Sequence, residues 1–429
     1  MKTFTIGILL VLLASPLAAR DLIESIELLL EAHPRVLSVI NDFTAATSRK
    51  EETYKRAFGP QIDFRMGKSY QRYKKPLLAF TEQEAKENSL KWTQLLYDFD
   101  RSKAQIADSS FTARQSGVAV EAVKQGLTLE AITAYVSYLR SLEILKFAQK
   151  SEENIKQQTR LEDIMVRKGK GYSSNVLQAK TALAGAQSRR VRAEGTVNIA
   201  KARLRAVFRE LYPDLQFDQS FVIPKTLLPE TLERAKEIAL RDNRQIQVGR
   251  MRSKALQERV KYTWRKEFRP KFQFVGEVGR NFDKDGNSGL QEDTKALVEV
   301  VYSLNGANAG KDAVNAVKKE LESSENREEE TFDIVLEQVG IAWQNLNTAR
   351  TNLVYLSNQV NISEQYLGLA RKERQNGRRT LLDVLSAETA MINAQSDQAS
   401  AKYDIIVACF TLLQAMGQLE MNVVKKTVN

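Results

Sequence analysis

Residues able to do covalent or metal chemistry are sparse in this chain. There is one histidine, His33, and one cysteine, Cys409, so no internal disulfide can form. His33 precedes Pro34 in a short amphipathic segment and reads as a helix-end packing residue. Cys409 lies in an apolar helical stretch and reads as a small buried hydrophobe. No nucleophile elbow, phosphate loop or metal-ligand spacing occurs. The acids are scattered along helical segments, where solvated faces are their ordinary fate, so neither an enzyme nor a cofactor is expected. The chemistry that remains is electrostatic. Basic residues gather around two glycine interruptions: Arg167, Lys168 and Lys170 at Gly169 and Gly171, and Arg371, Lys372, Arg374, Arg378 and Arg379 at Gly377. The formal charge is +11, but bases are mixed with acids and no nucleic-acid motif appears, so nucleic acid is not an expected partner.

The elements that hold these residues follow from proline. None occurs between Pro76 and Pro213, or after Pro270. Proline breaks a helix interior by removing a donor and clashing with the preceding turn. Two long proline-free tracts rich in Ala, Leu, Glu, Lys, Gln and Arg therefore predict two blocks of very long helix. A run such as 101–168 would extend roughly 100 Å at about 1.5 Å per residue. In the middle of each block a glycine can cap one helix and a polar residue can start the next. Gly169 and Gly171 with Ser173 or Ser174 as N-cap, and Gly377 with Thr380 as N-cap, thus predict two helical hairpins.

Residues 1–19 read as a signal peptide: Lys2, an apolar stretch from Phe4 to Leu13, and Ala18-Ala19 as a small-residue cleavage site. The remainder is a duplication, with a first repeat over 20–218 and a second over 219–429. Phe58, Pro60 and Phe64 match Phe268, Pro270 and Phe274, each 210 residues later. Each repeat reads as a short helix, two strands, then a long hairpin. The short helices are expected at 23–47 and 231–260, and the strands at 61–73, 90–98, 271–282 and 295–304. Pro213, Pro224 and Pro229 mark the linker. The second long helix of each repeat carries a heptad. Ala387, Ala394, Ala401, Ala408 and Ala415 recur every seven residues, and 208 residues earlier stand Ala179, Ala186, Ala193, Ala200 and Val207. Large residues interleave in both, and the polar exceptions Gln398 and Arg190 coincide. Small alternating with large at 3-4 spacing lets helices approach and interlock.

No segment after residue 19 offers 18 uncharged apolar residues, so any membrane crossing would use strands. Four strands cannot close a barrel, and lipid does not tolerate open edges. Several chains would have to share one, and three would give twelve strands. The periodicities do not themselves supply the number three. The expected fold is mostly α with a membrane β-barrel contribution, the hairpins continuing the barrel as a helical tunnel.

On these segments the chain resembles the TolC-type outer-membrane efflux protein family. Gly377 to Glu388 (GRRTLLDVLSAE) resembles the family's second hairpin-tip signature, supported by Gly169 to Ala179 and Leu412 to Leu419. Leu96-Tyr97-Asp98-Phe99 and Tyr302 to Gly306 resemble its strand-to-helix exits. The resemblance implies a homotrimer in the outer membrane with a periplasmic tunnel. Its closed tip would open when a periplasmic adaptor and an inner-membrane ABC or proton-driven pump engage. Cargo would be small molecules such as drugs, or polypeptides in type I secretion. It implies a constriction at Asp383, where the family's second aspartate is replaced by Ser386. It implies a tip latch in which Arg379 hydrogen-bonds toward Ser174 or Asn175, with Arg374 in place of the family's aromatic partner. Arg167, Lys168, Lys170, Arg371, Lys372 and Arg378 are then candidates for docking an acidic adaptor surface. The rivals are a periplasmic adaptor, which would carry one hairpin without this duplication, and a coiled-coil envelope protein, whose heptads would run on without paired strand regions.

Overall fold

The computed structural model describes residues 21–74, 80–209, 228–302 and 308–427. The expected signal peptide, Pro213, Pro224 and the exit segment 303–306 lie outside them. The described elements run α1 (Leu22–Ala32), α2 (Pro34–Phe58), β1 (Gln61–Lys74), β2 (Phe80–Tyr97), α3 (Arg101–Arg167) and α4 (Ser173–Phe208). The same order then recurs as α5 (Leu232–Asp242), α6 (Arg244–Phe268), β3 (Lys271–Phe282), β4 (Leu290–Val301), α7 (Ala309–Gln375) and α8 (Leu381–Ala415), closed by α9 (Met421–Thr427). Helices α3 and α7 each hold 67 residues. None of the described helices is long and apolar enough to cross a membrane.

Several boundaries differ from expectation. The short helices are each split in two, at His33 and at Asn243, both in extended conformation. Pro34 accounts for the first break, since proline is suited to the first helical position. The second break has no proline; Asn243 is held there by donating from Nδ2 to the Ala415 carbonyl at 2.8 Å. Strand β2 starts at Phe80 rather than near residue 90. Its extra residues are polar and pair across to β1 through Lys68–Glu84 (2.6 Å) and Arg72–Glu82 (3.1 Å), a register that alternation of apolar residues does not reveal. Strand β4 correspondingly runs 290–301 rather than 295–304.

The chain forms two compact units that cut across the repeats. One contains Leu37–Ala122 and Arg244–Ile334; the other contains the chain up to Val36, Val123–Asn243 and Val335–Asn429. The first unit holds a four-stranded antiparallel sheet in the order β1-β2-β3-β4. Strands β2 and β3 are neighbours although the first long hairpin lies between them in sequence. Partners in register share a face, so Ile62, Trp92 and Gly276 point one way with Phe64, Phe274 and Val298. That face is apolar and exposed over the part nearest the helices, and charged beyond it at Lys68, Arg72, Lys86 and Arg280. The other face is polar, and amide–carboxylate pairs such as Gln71–Glu87 and Asn281–Asp293, both 3.1 Å, satisfy it.

In the second unit the heptads are buried. Ala179, Ala186, Ala193, Ala200 and Val207 on α4, and Ala387, Ala394, Ala401, Ala408 and Ala415 on α8, are all below a tenth exposed. The two polar exceptions reach back to the preceding helix of their own hairpin: Arg190 Nε donates to Glu152 at 2.5 Å, and Gln398 Nε2 to Ser357 Oγ at 3.1 Å.

Candidate functional site

Each hairpin turn is built by a glycine. Helix α3 ends in a motif in which the Lys170 N–H bonds the Met165 carbonyl and the Gly169 N–H bonds the Val166 carbonyl. Helix α7 ends identically, Arg378 to Glu373 and Gly377 to Arg374. These paired bonds satisfy orphan carbonyls and require a left-handed residue. Gly169 (φ 66°) and Gly377 (φ 72°) supply it. Gly171 serves by its lack of bulk: a Cβ there would stand 3.2 Å from Met165 and Val166.

Beyond the turns the two hairpins start differently. Thr380 caps α8 in a reciprocal box. Its hydroxyl accepts from the Asp383 N–H at 3.2 Å and donates to Asp383 Oδ2 at 2.7 Å, while the Thr380 N–H donates to the same oxygen at 3.3 Å. The Thr380 hydroxyl holds the Asp383 carboxyl below its ordinary value, helped by the Thr380 N–H and Arg379 against partial desolvation. Ser386 follows one turn later and is exposed. The expected serine cap of α4 is not formed: Tyr172 occupies the N-cap position, extended and without a side-chain bond, and Ser173 and Ser174 lie in the first turn. The Gly169–Gly171 turn carries the chain one residue less far than a serine cap would need.

The basic residues divide into two sets. Arg167, Lys168, Lys170, Lys372 and Arg378 are exposed, although Arg167 also pairs with Asp163 at 2.6 Å. Arg371, Arg374 and Arg379 are engaged within the protomer. Arg371 Nη2 donates to Glu388 Oε2 at 2.5 Å, and Asn154 Nδ2 donates to the other carboxylate oxygen at 2.6 Å. Arg374 Nη2 donates to Glu162 Oε1 at 2.7 Å. Arg379 pairs with Glu373 at 2.9 Å and lies over the Tyr366 ring at 5.1 Å. Arg379 is therefore not joined to Ser174 or Asn175 here; Asn175 bonds the Tyr172 carbonyl through its own N–H.

Glu162, Glu388 and Asn154 were not singled out in the sequence. Glu162 and Glu388 are nearly fully buried, and with Asn154 they join α3 to α7 and α8. An apolar cluster of Ile155, Ala179, Ala186, Leu381 and Leu385 packs alongside. Glu388 was visible as the last residue of the tip signature, next to the heptad position Ala387, where a buried acid needs a base. Nothing in the sequence pairs Glu162 with a residue 212 positions away.

The family model described as "Outer membrane efflux protein" matches residues 26–208 and again 236–418. The chain belongs to this outer membrane efflux protein family. The two matches of this efflux model begin and end 210 residues apart, the spacing of Pro60 and Pro270. Outer membrane protein TolC of Vibrio cholerae is 23% identical over 427 residues, covering 95% of this chain and 93% of the relative. Outer membrane protein TolC of Escherichia coli K12 is 22% identical over 347 residues, covering 77% of this chain and 69% of the relative. The solved outer-membrane channel OprN superposes with a TM-score of 0.79 at 18% identity, over 92% of this chain and 90% of that one. At such identity the likeness concerns the fold: helical tunnel elements and barrel strands, as in other efflux-family channels.

Proposed function

We propose that three copies of this chain form a channel through the outer membrane, the strands supplying a twelve-stranded barrel and the helices a periplasmic tunnel. The observation that carries this reading is the sheet. Near the helices it has an apolar exposed face and a polar opposite face, and among the described residues its edges in β1 and β4 are unpaired. An apolar-out, polar-in sheet suits lipid on one side and water on the other, and lipid requires those edges to be closed by further strands. Family membership agrees with the same assembly.

The hairpin tips would then form a gate. Asp383, repeated by symmetry, would line a constriction that favours cations, softened by Ser386. Arg374–Glu162 and Asn154–Glu388 would hold the two hairpins of one protomer together, with Arg371–Glu388 bracing the second hairpin. Arg379 would turn toward Ser174 or Asn175 of a neighbouring copy in the closed assembly. The exposed set at Arg167, Lys168, Lys170, Lys372 and Arg378 would meet an acidic adaptor hairpin, with an inner-membrane ABC or proton-driven pump behind it.

Cargo is decided by deleting the chain in its own host. Accumulation of toxic small molecules with an unchanged set of secreted proteins assigns drug efflux. Loss of one large secreted polypeptide assigns type I secretion. Neither effect, with the chain recovered in a soluble periplasmic fraction, would contradict the channel reading.

A further inference from the structure

The apolar face of the sheet begins at the helical end, at the first residues of β1 and β3 and the last residues of β2 and β4. Ile62, Phe272 and Val300 lie on it directly beside the helical end, with Tyr97 paired to Phe272. Further along, the same face turns charged, at Lys68, Arg72, Lys86 and Arg280 with their glutamates. If this face meets hydrocarbon, the headgroup layer on the helical side falls at the last turns of α2 and α6, not on the strands.

Those turns are equipped for it in both repeats. Tyr54 and Phe58 on α2 stand 210 residues before Trp264 and Phe268 on α6. Tyr54, Phe58 and Trp264 are exposed at 53%, 49% and 42%. Basic residues accompany them, Lys55 and Arg56 in one and Arg265 and Lys266 in the other. Aromatic rings with basic neighbours are the composition that settles at a membrane–water interface.

One residue has a built position. The exposed Arg269 guanidinium lies 5.1 Å from the Trp264 ring centroid and 5.5 Å from that of Phe99. Phe99 is delivered by a left-handed corner, with φ 56° at Phe99 and 63° at Asp100. That corner is held from both sides: Asp98 accepts from the Ser102 N–H at 2.8 Å, and Arg265 Nη1 donates to the Asp100 carbonyl at 3.0 Å. Among the described residues Arg269 has ring partners and no carboxylate, so the rings engage the guanidinium without consuming its N–H groups. A planar fork held this way suits a phosphate.

We propose that Arg269, stacked on Trp264 and Phe99, binds the phosphate of an anionic phospholipid headgroup in the leaflet on the helical side of the membrane, and that the ends of α2 and α6 lie in that headgroup layer. This rests on the sheet being the membrane-spanning part. The second repeat alone has the site, since Gly59 stands where Arg269 does.

The test uses the full chain reconstituted in phosphatidylcholine vesicles containing phosphatidylglycerol. Single-tryptophan variants report depth: W92F/W343F keeps Trp264, and W264F/W343F keeps Trp92. Trp264 should be quenched most by a headgroup-level quencher and Trp92 by lipid brominated along its acyl chains. Co-purified phosphatidylglycerol should exceed its share of the vesicle in the wild type. Arg269→Gln should lower that enrichment about fivefold, the worth of one basic residue near an anionic surface, and excess inorganic phosphate should not compete. Arg269→Lys, which keeps the charge but not the fork, should recover only part of it. Quenching of Trp92 without Trp264 would overturn the proposal while leaving the barrel intact. Quenching of neither would remove the barrel reading itself. Displacement by inorganic phosphate, or unchanged enrichment in a folded Arg269→Gln, would also overturn it.

Discussion

Arg374 donates to Glu162 at 2.7 Å and so ties α7 of the second repeat to α3 of the first. The Glu162 side chain is 5% exposed, and its Oε2 has no hydrogen-bond partner. A buried ion pair is costly to break on one side and cheap to replace on both. Arg374→Met alone should therefore destabilise the hairpins by about 3–5 kcal/mol. Glu162→Met/Arg374→Met should regain most of that. If the pair is a strut of the gate, both variants should conduct more than the wild type in planar bilayers. Equal melting temperatures for the single and double variants would refute the ion-pair account.

Gly377 carries the left-handed residue that ends α7, and no side chain would meet an obstacle there. Its replacement is thus a test of backbone conformation alone. Gly377→Ala should cost about 1–2 kcal/mol, and Gly377→Asn clearly less, because asparagine tolerates this region. Thermal unfolding in detergent measures both. An alanine variant as stable as the wild type would contradict the turn geometry.

Asp383 is held in its charged form chiefly by the Thr380 hydroxyl. A carboxylate whose folded pKa is depressed adds stability above its unfolded pKa and loses it as pH falls through the lower folded value. The cap of α8, and any cation preference due to Asp383, should therefore survive acidification below 3.8, the ordinary value for this group. Thr380→Val should move the loss to higher pH. Carboxyl chemical shifts followed through an acid titration read this directly, and a normal titration of Asp383 would contradict it.

Cys409 is 1% exposed and burial pushes its thiol up to about 11. The thiolate is the reactive form. The folded protein should resist maleimide at neutral pH and react once denatured. Rapid labelling of the native protein would show that α8 is packed differently.

Much of this architecture was legible in the residues because it repeats. The alanine heptads could be checked against each other across 208 positions, and every one is buried. Even Arg190 and Gln398, which break the pattern, each find a partner on the adjacent helix. Thr380 announced its own cap because an N-cap needs only local sequence. The start of β2 was hidden because its residues are mostly polar and are fixed by cross-strand charges rather than by alternation. The break at Asn243 was hidden because a contact with Ala415 holds it, not a proline. The tip ion pairs were hidden for the same reason: Arg374 reads as one more basic residue beside a turn until the fold brings Glu162 to it.

A four-stranded sheet with edges at β1 and β4 cannot close a barrel within one chain. Light scattering on the purified protein in detergent micelles counts the chains per particle. Three chains per particle are predicted. A stable particle holding one chain would contradict the shared barrel.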